Sequence, residues 1–179
     1  MPNWCSNSFS MSGPTEVIDR VAQGISDGKM LQTMVDIGEW DYNTAVTQWG
    51  TKWEVSDVEV TLDDRHGEHA ELHGYFESAW SPPKEAFFTF MSDNPDVDAS
   101  LLYFEPAMDF CGDLDNELTV EDLDSAFLQN DSLGVQLDSA FSISEYLEDS
   151  IEEAQDEALA EPLTLEDPEE GLVITKGTI

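Results

Sequence analysis

The chain has 179 residues and a formal net charge of −34, from 40 Asp and Glu against 6 Lys and Arg. That charge excludes direct binding to nucleic acid or to an anionic membrane, since both need a basic surface. A hydrophobic fraction of 40% with 9 Phe and 5 Trp excludes a purely disordered acidic tail, and no apolar run approaches the ~20 residues that cross a bilayer.

Along the chain, residues 3–12 alternate around Trp4, Phe9 and Met11 and stop at Ser12-Gly13-Pro14, which predicts a first strand. Thr15 is the expected cap of a helix from Glu16 to Ile25, with Val17, Ile18, Val21 and Ile25 at helical spacing and Gly24 and Gly28 ending it. Residues 29–50 show no clean period and read as a long aromatic loop. Val58, Val60 and Leu62 alternate with Asp57, Glu59 and Thr61. After a turn at Asp63–Gly67, Leu72, Gly74 and Phe76 alternate in a return strand, so a hairpin is expected. Ser81-Pro82-Pro83 opens a second helix with Phe87, Phe88 and Met91 as its buried stripe, and Asn94-Pro95 stops it. Ala99–Glu105 completes the set as a fourth strand. The order β-α-β-β-α-β predicts an α+β, ferredoxin-like sandwich over residues 1–112, followed by an acidic, mainly helical extension over 113–179 that packs on it.

Four blocks also carry a family likeness: Met1-Pro2-Asn3-Trp4-Cys5-Ser6-Asn7, Trp49-Gly50-Thr51-Lys52-Trp53, Ala79-Trp80-Ser81-Pro82-Pro83, and Tyr103-Phe104-Glu105-Pro106 with Phe110-Cys111-Gly112. In this order they resemble the Api92-like domain, a ferredoxin-like family of phages and mobile elements. The resemblance covers about two thirds of the chain. It implies a fold and a phage context, and no catalytic residue. The acidity and the acidic extension depart from the usual member.

Function therefore has to be read from the acids. Residues 1–84 hold 14 acids and 5 bases, whereas residues 85–179 hold 26 acids and one base, Lys176. From Glu105 to Glu170 there are 22 acids and no Lys or Arg. On a helix from Ser144, Glu145, Glu148, Asp149, Glu152, Glu153, Asp156, Glu157 and Glu161 form one stripe, with Leu147, Ile151, Ala154 and Ala158 opposite. Ser142 and Glu145 have capping-box spacing. The stripe runs about 18–24 Å, comparable to the rise of ~5–7 base pairs. A second acidic helix is expected near Thr119, with Glu121, Asp122 and Asp124 outward and Leu123, Phe127 and Leu128 inward. Two such ridges would imitate two phosphate strands, because carboxylates pair with Arg and Lys much as phosphates do. The expected partner is a host DNA-binding protein with a basic groove, inhibited by occupation of that groove. DNA gyrase is the first expectation by analogy, and a restriction or CRISPR nuclease is another. A noncatalytic adaptor docking on one basic protein is the alternative. A symmetric dimer would extend the acidic surface.

Other constellations predict less. Asp113, Asp115, Glu117 and Asp124 have the spacing of calcium-loop positions, but Leu118 stands where the sharp turn needs Gly. His66, His69 and His73 lack cysteine partners and read as surface histidines. No metal, no cofactor and no catalytic group is expected. Trp40, Trp49, Trp53 and Trp80 read as core. Cys5 and Cys111 read as buried thiols. The opening residues carry neither a basic nor an apolar leader pattern, so a cytoplasmic location is expected.

Overall fold

The computed structural model describes residues 3–160, leaving aside the side chains of 64–66 and 153–160. Strict alternation builds its first strand, β1 (Trp4–Pro14): Cys5, Asn7, Phe9, Met11 and Gly13 are buried, and Ser6, Ser8, Ser10 and Ser12 face the other way. Helix α1 (Thr15–Ser26) follows at once with Pro14 at its N-cap. Thr15 is thus the first helical residue and not the cap; its N–H donates to the Glu68 carbonyl at 2.9 Å. The helix runs through Gly24, where a Cβ would lie 2.3 Å from the Thr33 Oγ1, and ends before Gly28 (φ 66°).

The stretch expected as a loop contains two helices, α2 (Met30–Met34) and α3 (Tyr42–Trp49). Five residues are too few to show a period, and α2 takes its cap from far away in sequence: the Glu54 carboxylate accepts the Leu31 and Gln32 N–H groups at 2.7 and 3.1 Å. Helix α3 is capped locally by Asp41, which accepts from the Thr44 N–H at 2.9 Å, and is closed by Gly50 at φ 85°.

Strands β2 (Ser56–His66) and β3 (His69–Ala79) form the expected hairpin, with its turn shortened to Gly67 and Glu68. Helix α4 (Lys84–Asp93) buries Ala86, Phe87 and Phe90. Its stripe runs through Phe90; Phe88, expected inside, is 40% exposed and Met91 is half-buried. Strand β4 (Asp98–Glu105) is followed by two short strands, β5 (Phe110–Asp113) and β6 (Glu117–Leu118), which widen the sheet.

The result is a mixed α+β body around a six-stranded sheet in the order β2-β3-β1-β4-β5-β6, with every pair antiparallel. One sheet face carries Phe9, Met11, Leu72, Phe76 and Leu101, which pack with Ile18, Leu31, Trp49, Phe87 and Phe90 from α1 to α4. Burying such side chains contributes about 1.5–3 kcal/mol each, and this cluster is the main source of stability. Phe104 and its cross-strand partner Cys111 point to the opposite face. There α6 (Ser132–Phe141), reached through α5 (Ser125–Asn130), packs on β4 and β5, and the Phe141 ring meets the Phe104 ring at 6.1 Å.

Helix α7 (Ile143–Ala160) ends the described chain. Compact units divide between Ser144 and Glu145, so α5 and α6 belong to the same unit as the sheet. Among the described residues no helix is long and apolar enough to cross a membrane.

Candidate partner-binding site

Helix starts leave N–H groups without partners, and an aspartate one or two bonds from the backbone can reach them. The acidic half uses its aspartates in this way. Asp109 accepts the Val120 N–H at 2.8 Å. Asp113 accepts from Asp115 and Asn116 N–H at 2.9 and 2.7 Å, closing the turn between β5 and β6. Asp122 forms a capping box with Thr119, accepting its N–H at 3.1 Å. Asp124 caps α5 through the Phe127 N–H at 2.7 Å, and Asp131 caps α6 through Leu133 N–H at 2.9 Å. Asp138 accepts from the Ser144 N–H at 2.7 Å. That bond, and not Ser142, serves the start of α7; Ser142 ends α6 in a left-handed turn at φ 52°.

These bonds decide how the predicted site residues divide. Glu121, Asp122 and Asp124 are all exposed, and Leu123 and Leu128 lie inward as expected. They do not form one helical ridge, because Val120–Asp122 is a short 3-10 turn and α5 starts only at Ser125. Two of the three carboxylates are engaged with backbone N–H groups. On α7, in contrast, Glu145, Glu148, Asp149 and Glu152 are exposed along one helix, and past its first turn the backbone N–H groups are bonded within it. Leu147 is half-buried, but Ile151, expected on the packing side, is 58% exposed. The side chains of Glu153, Asp156 and Glu157, and all of Glu161, lie outside the described residues.

Among the described residues, no group of three or more His, Cys, Asp or Glu side chains is placed to hold a metal ion. Asp113 is instead the anchor of its own turn. His73 sits 3.9 Å from Asp63, too long for a hydrogen bond, although Ser10, His73 and Asp63 share one sheet face. The side chain of His66 lies outside the described set.

Trp49 is core, with its Nε1 donating to the Val35 carbonyl at 2.9 Å. Trp40 and Trp53 are 55% and 39% exposed, which overturns their expected burial. Met30, Leu31 and Met34 of α2 and Ala45 of α3 join Trp49 in the core. Cys5 and Cys111 are free and fully buried, and burial pushes the Cys111 thiol up to about 11 and Cys5 higher still. Neither is a reactive thiolate. Burial also raises the carboxyl pKa values of Glu54, Glu77 and Glu105.

The four sequence blocks meet at one end of the sheet, where Ser6 of the first pairs with Phe104 of the fourth. The Trp80 N–H donates to the Asn3 carbonyl at 2.9 Å, the Thr51 hydroxyl to Ala79 at 2.9 Å and the Ser81 hydroxyl to Gly50 at 2.6 Å. Trp80 holds a left-handed φ of 72° beneath the Lys52 ammonium, 3.9 Å from its ring. Their evident work is to tie strand ends together. Compared with protein-family models, curated proteins and solved structures, the chain matches none.

Proposed function

We propose that the chain is a noncatalytic, phage-encoded DNA mimic that inhibits a host DNA-binding enzyme by occupying its DNA groove. The observation that carries the reading is the exposed line of Glu145, Glu148, Asp149 and Glu152 on α7, in a helix without a single Lys or Arg. Glu148, Asp149 and Glu152 lie beyond the first turn and cap no helix end among the described residues, unlike the capping aspartates, whereas Glu145 also suits the N-terminus of α7. In this reading the sheet body is a scaffold. Its four strands in the order β2-β3-β1-β4, all antiparallel, support a ferredoxin-like and Api92-like assignment, with β5 and β6 as additions. The setting would be the host cytoplasm.

DNA gyrase is the first target to test, an analogy based on its grip on a long duplex. The measurement is gyrase supercoiling with increasing protein, repeated with excess linear duplex. Inhibition relieved by duplex, and weakened in the E145Q/E148Q/D149N/E152Q variant, supports groove occupation. Undiminished inhibition by that variant refutes it. Electrostatic association should also weaken steeply as salt rises.

One observation favours a second reading. Capping by Asp122 and Asp124 leaves one ridge where two were expected, and a single acidic helix also suits an adaptor that docks on a basic protein without imitating a duplex. Binding that duplex DNA fails to displace would select the adaptor.

A further inference from the structure

We propose that the open face of the sheet holds a pocket for an arginine side chain of the basic partner, a contact separate from α7. The inference rests on the reading of the chain as a ligand of a basic protein. Away from α6, the second sheet face is floored by registered polar pairs. Ser10 lies between His73 and Ser100, and Ser8 between Tyr75 and Leu102. The Ser10 and Ser100 hydroxyls are 3.3 Å apart. The Asp113–Asp115 turn and Gln136 of α6 wall this floor into a groove of about 360 Å³. That volume is at the small end of ligand pockets, and one side chain with its stem fits it.

The chemistry of the lining selects a planar cation. A guanidinium presents five N–H donors and no acceptor, so it needs several oxygens and tolerates an aromatic face. The groove offers serine hydroxyls, the Gln136 amide and the ring of Tyr75, which is 48% exposed. Asp115 supplies the charge. Its neighbour Asp113 is engaged by Asn116, whereas Asp115 is exposed at the groove wall. Leu102 and Leu114 give apolar surface for the methylene stem. Among the described residues, no Lys or Arg lines the groove. The same sheet face carries Glu59, Asp63, Glu71 and Asp98 on neighbouring register positions, so the surrounding field favours cations and repels anions.

The test is a titration of the full-length ¹⁵N-labelled protein with acetyl-Gly-Arg-Gly-amide, followed by amide chemical shifts. The same peptide with citrulline, a neutral isostere of arginine, is the control. Saturable shifts should centre on Ser10, Tyr75, Ser100, Leu114 and Asp115, with affinity in the millimolar range. Citrulline should bind about tenfold more weakly, and Tyr75→Ala or Asp115→Asn should each weaken the arginine peptide about three- to five-fold. Both substitutions are at exposed positions, so an unchanged spectrum elsewhere confirms the fold. Equal binding of citrulline would assign the groove to a neutral polar ligand and overturn the proposal. Shifts confined to α7, or variants that bind as well as the parent, would overturn it too. No host protein is present, so this result and the DNA-competition result fail independently.

Discussion

Replacing Asp149 by lysine should stabilise α7 and damage function together. In the helix Ile143–Ala160, Asp149 lies four residues after Glu145 and three before Glu152, both exposed. Like charges at these spacings destabilise a helix by roughly 0.2–0.5 kcal/mol per pair, and opposite charges stabilise by a similar amount. Counting only the two partners whose side chains are described, the reversal gains about 1 kcal/mol at low salt. Glu145 stands N-terminal to the introduced lysine, which is the favourable direction for such a pair, and lysine has a better helix propensity than aspartate by a few tenths. Amide hydrogen exchange across residues 143–152 should slow by about five-fold at 20 mM salt, and the gain should shrink at 500 mM as screening removes both the repulsion and the new attraction. Inhibition of the target should fall in the same variant. Faster or unchanged exchange at low salt would show that the carboxylates do not feel one another, and the argument for a continuous charged stripe would fail.

Two further outcomes follow from the body of the fold. Leu137→Ala removes a fully buried side chain of α6 and should lower stability to urea by about 2–5 kcal/mol; a loss below ~1 kcal/mol would mean that α6 does not seal the second face. Glu105 is buried and its pKa is raised above 4.5, so the folded state holds this proton more tightly than the unfolded one. Its contribution is complete below pH 4.5 and is lost as pH rises through the higher folded value. Glu105→Gln keeps an acceptor for the Met108 N–H and should flatten the fall in urea midpoint as pH rises above 4.5, whereas an unaltered slope would refute the assignment. Asp41, held below its usual value by capping Thr44, acts in the opposite sense and only at more acid pH.

How far the sequence carried the fold depended on where the deciding contact lay. In β1 and β3 the contact is the next strand and the signal is alternation within the strand itself, so faces and hairpin were legible from Phe9, Met11, Leu72 and Phe76. Helix α2 was hidden because its cap, Glu54, is over twenty residues from the N–H groups it serves. Helix α3 did carry a local sign, Asp41 before Thr44 and Gly50 after Trp49, which the surrounding aromatics obscured. Phe88 and Phe90 could not be ranked by type, since both are phenylalanine and only the angle of α4 on the sheet separates them. The groove on the open face brings together β1, β3, β4, a turn and α6, and no single stretch of sequence contains it.

Between Asp109 and Asp138 the capping acids are aspartates, and that choice of side-chain length can be tested without changing charge. Aspartate is a preferred cap for a backbone N–H two or three residues ahead; glutamate, one methylene longer, is less suited to that local geometry, although Glu105 does reach the Met108 N–H. Asp131→Glu keeps the net charge at −34 yet should lose the bonds to the Leu133 and Gly134 N–H groups at 2.9 and 3.4 Å. The expected loss is about 1 kcal/mol in urea unfolding, with binding to the target unchanged once the protein is folded. Glutamine in place of Glu148 should do the reverse, preserving stability and weakening binding, since no cap is lost and one carboxylate is. If Asp131→Glu weakened binding at full folding, the capping aspartates would be contact residues in their own right. If it left stability untouched, the aspartates would not owe their places to the helix ends. Opposite responses of the two variants would mean that the charge of this chain has two origins: capping aspartates such as Asp109, Asp122, Asp124, Asp131 and Asp138 that the fold uses, and carboxylates at Asp115 and on α7 that a partner explains.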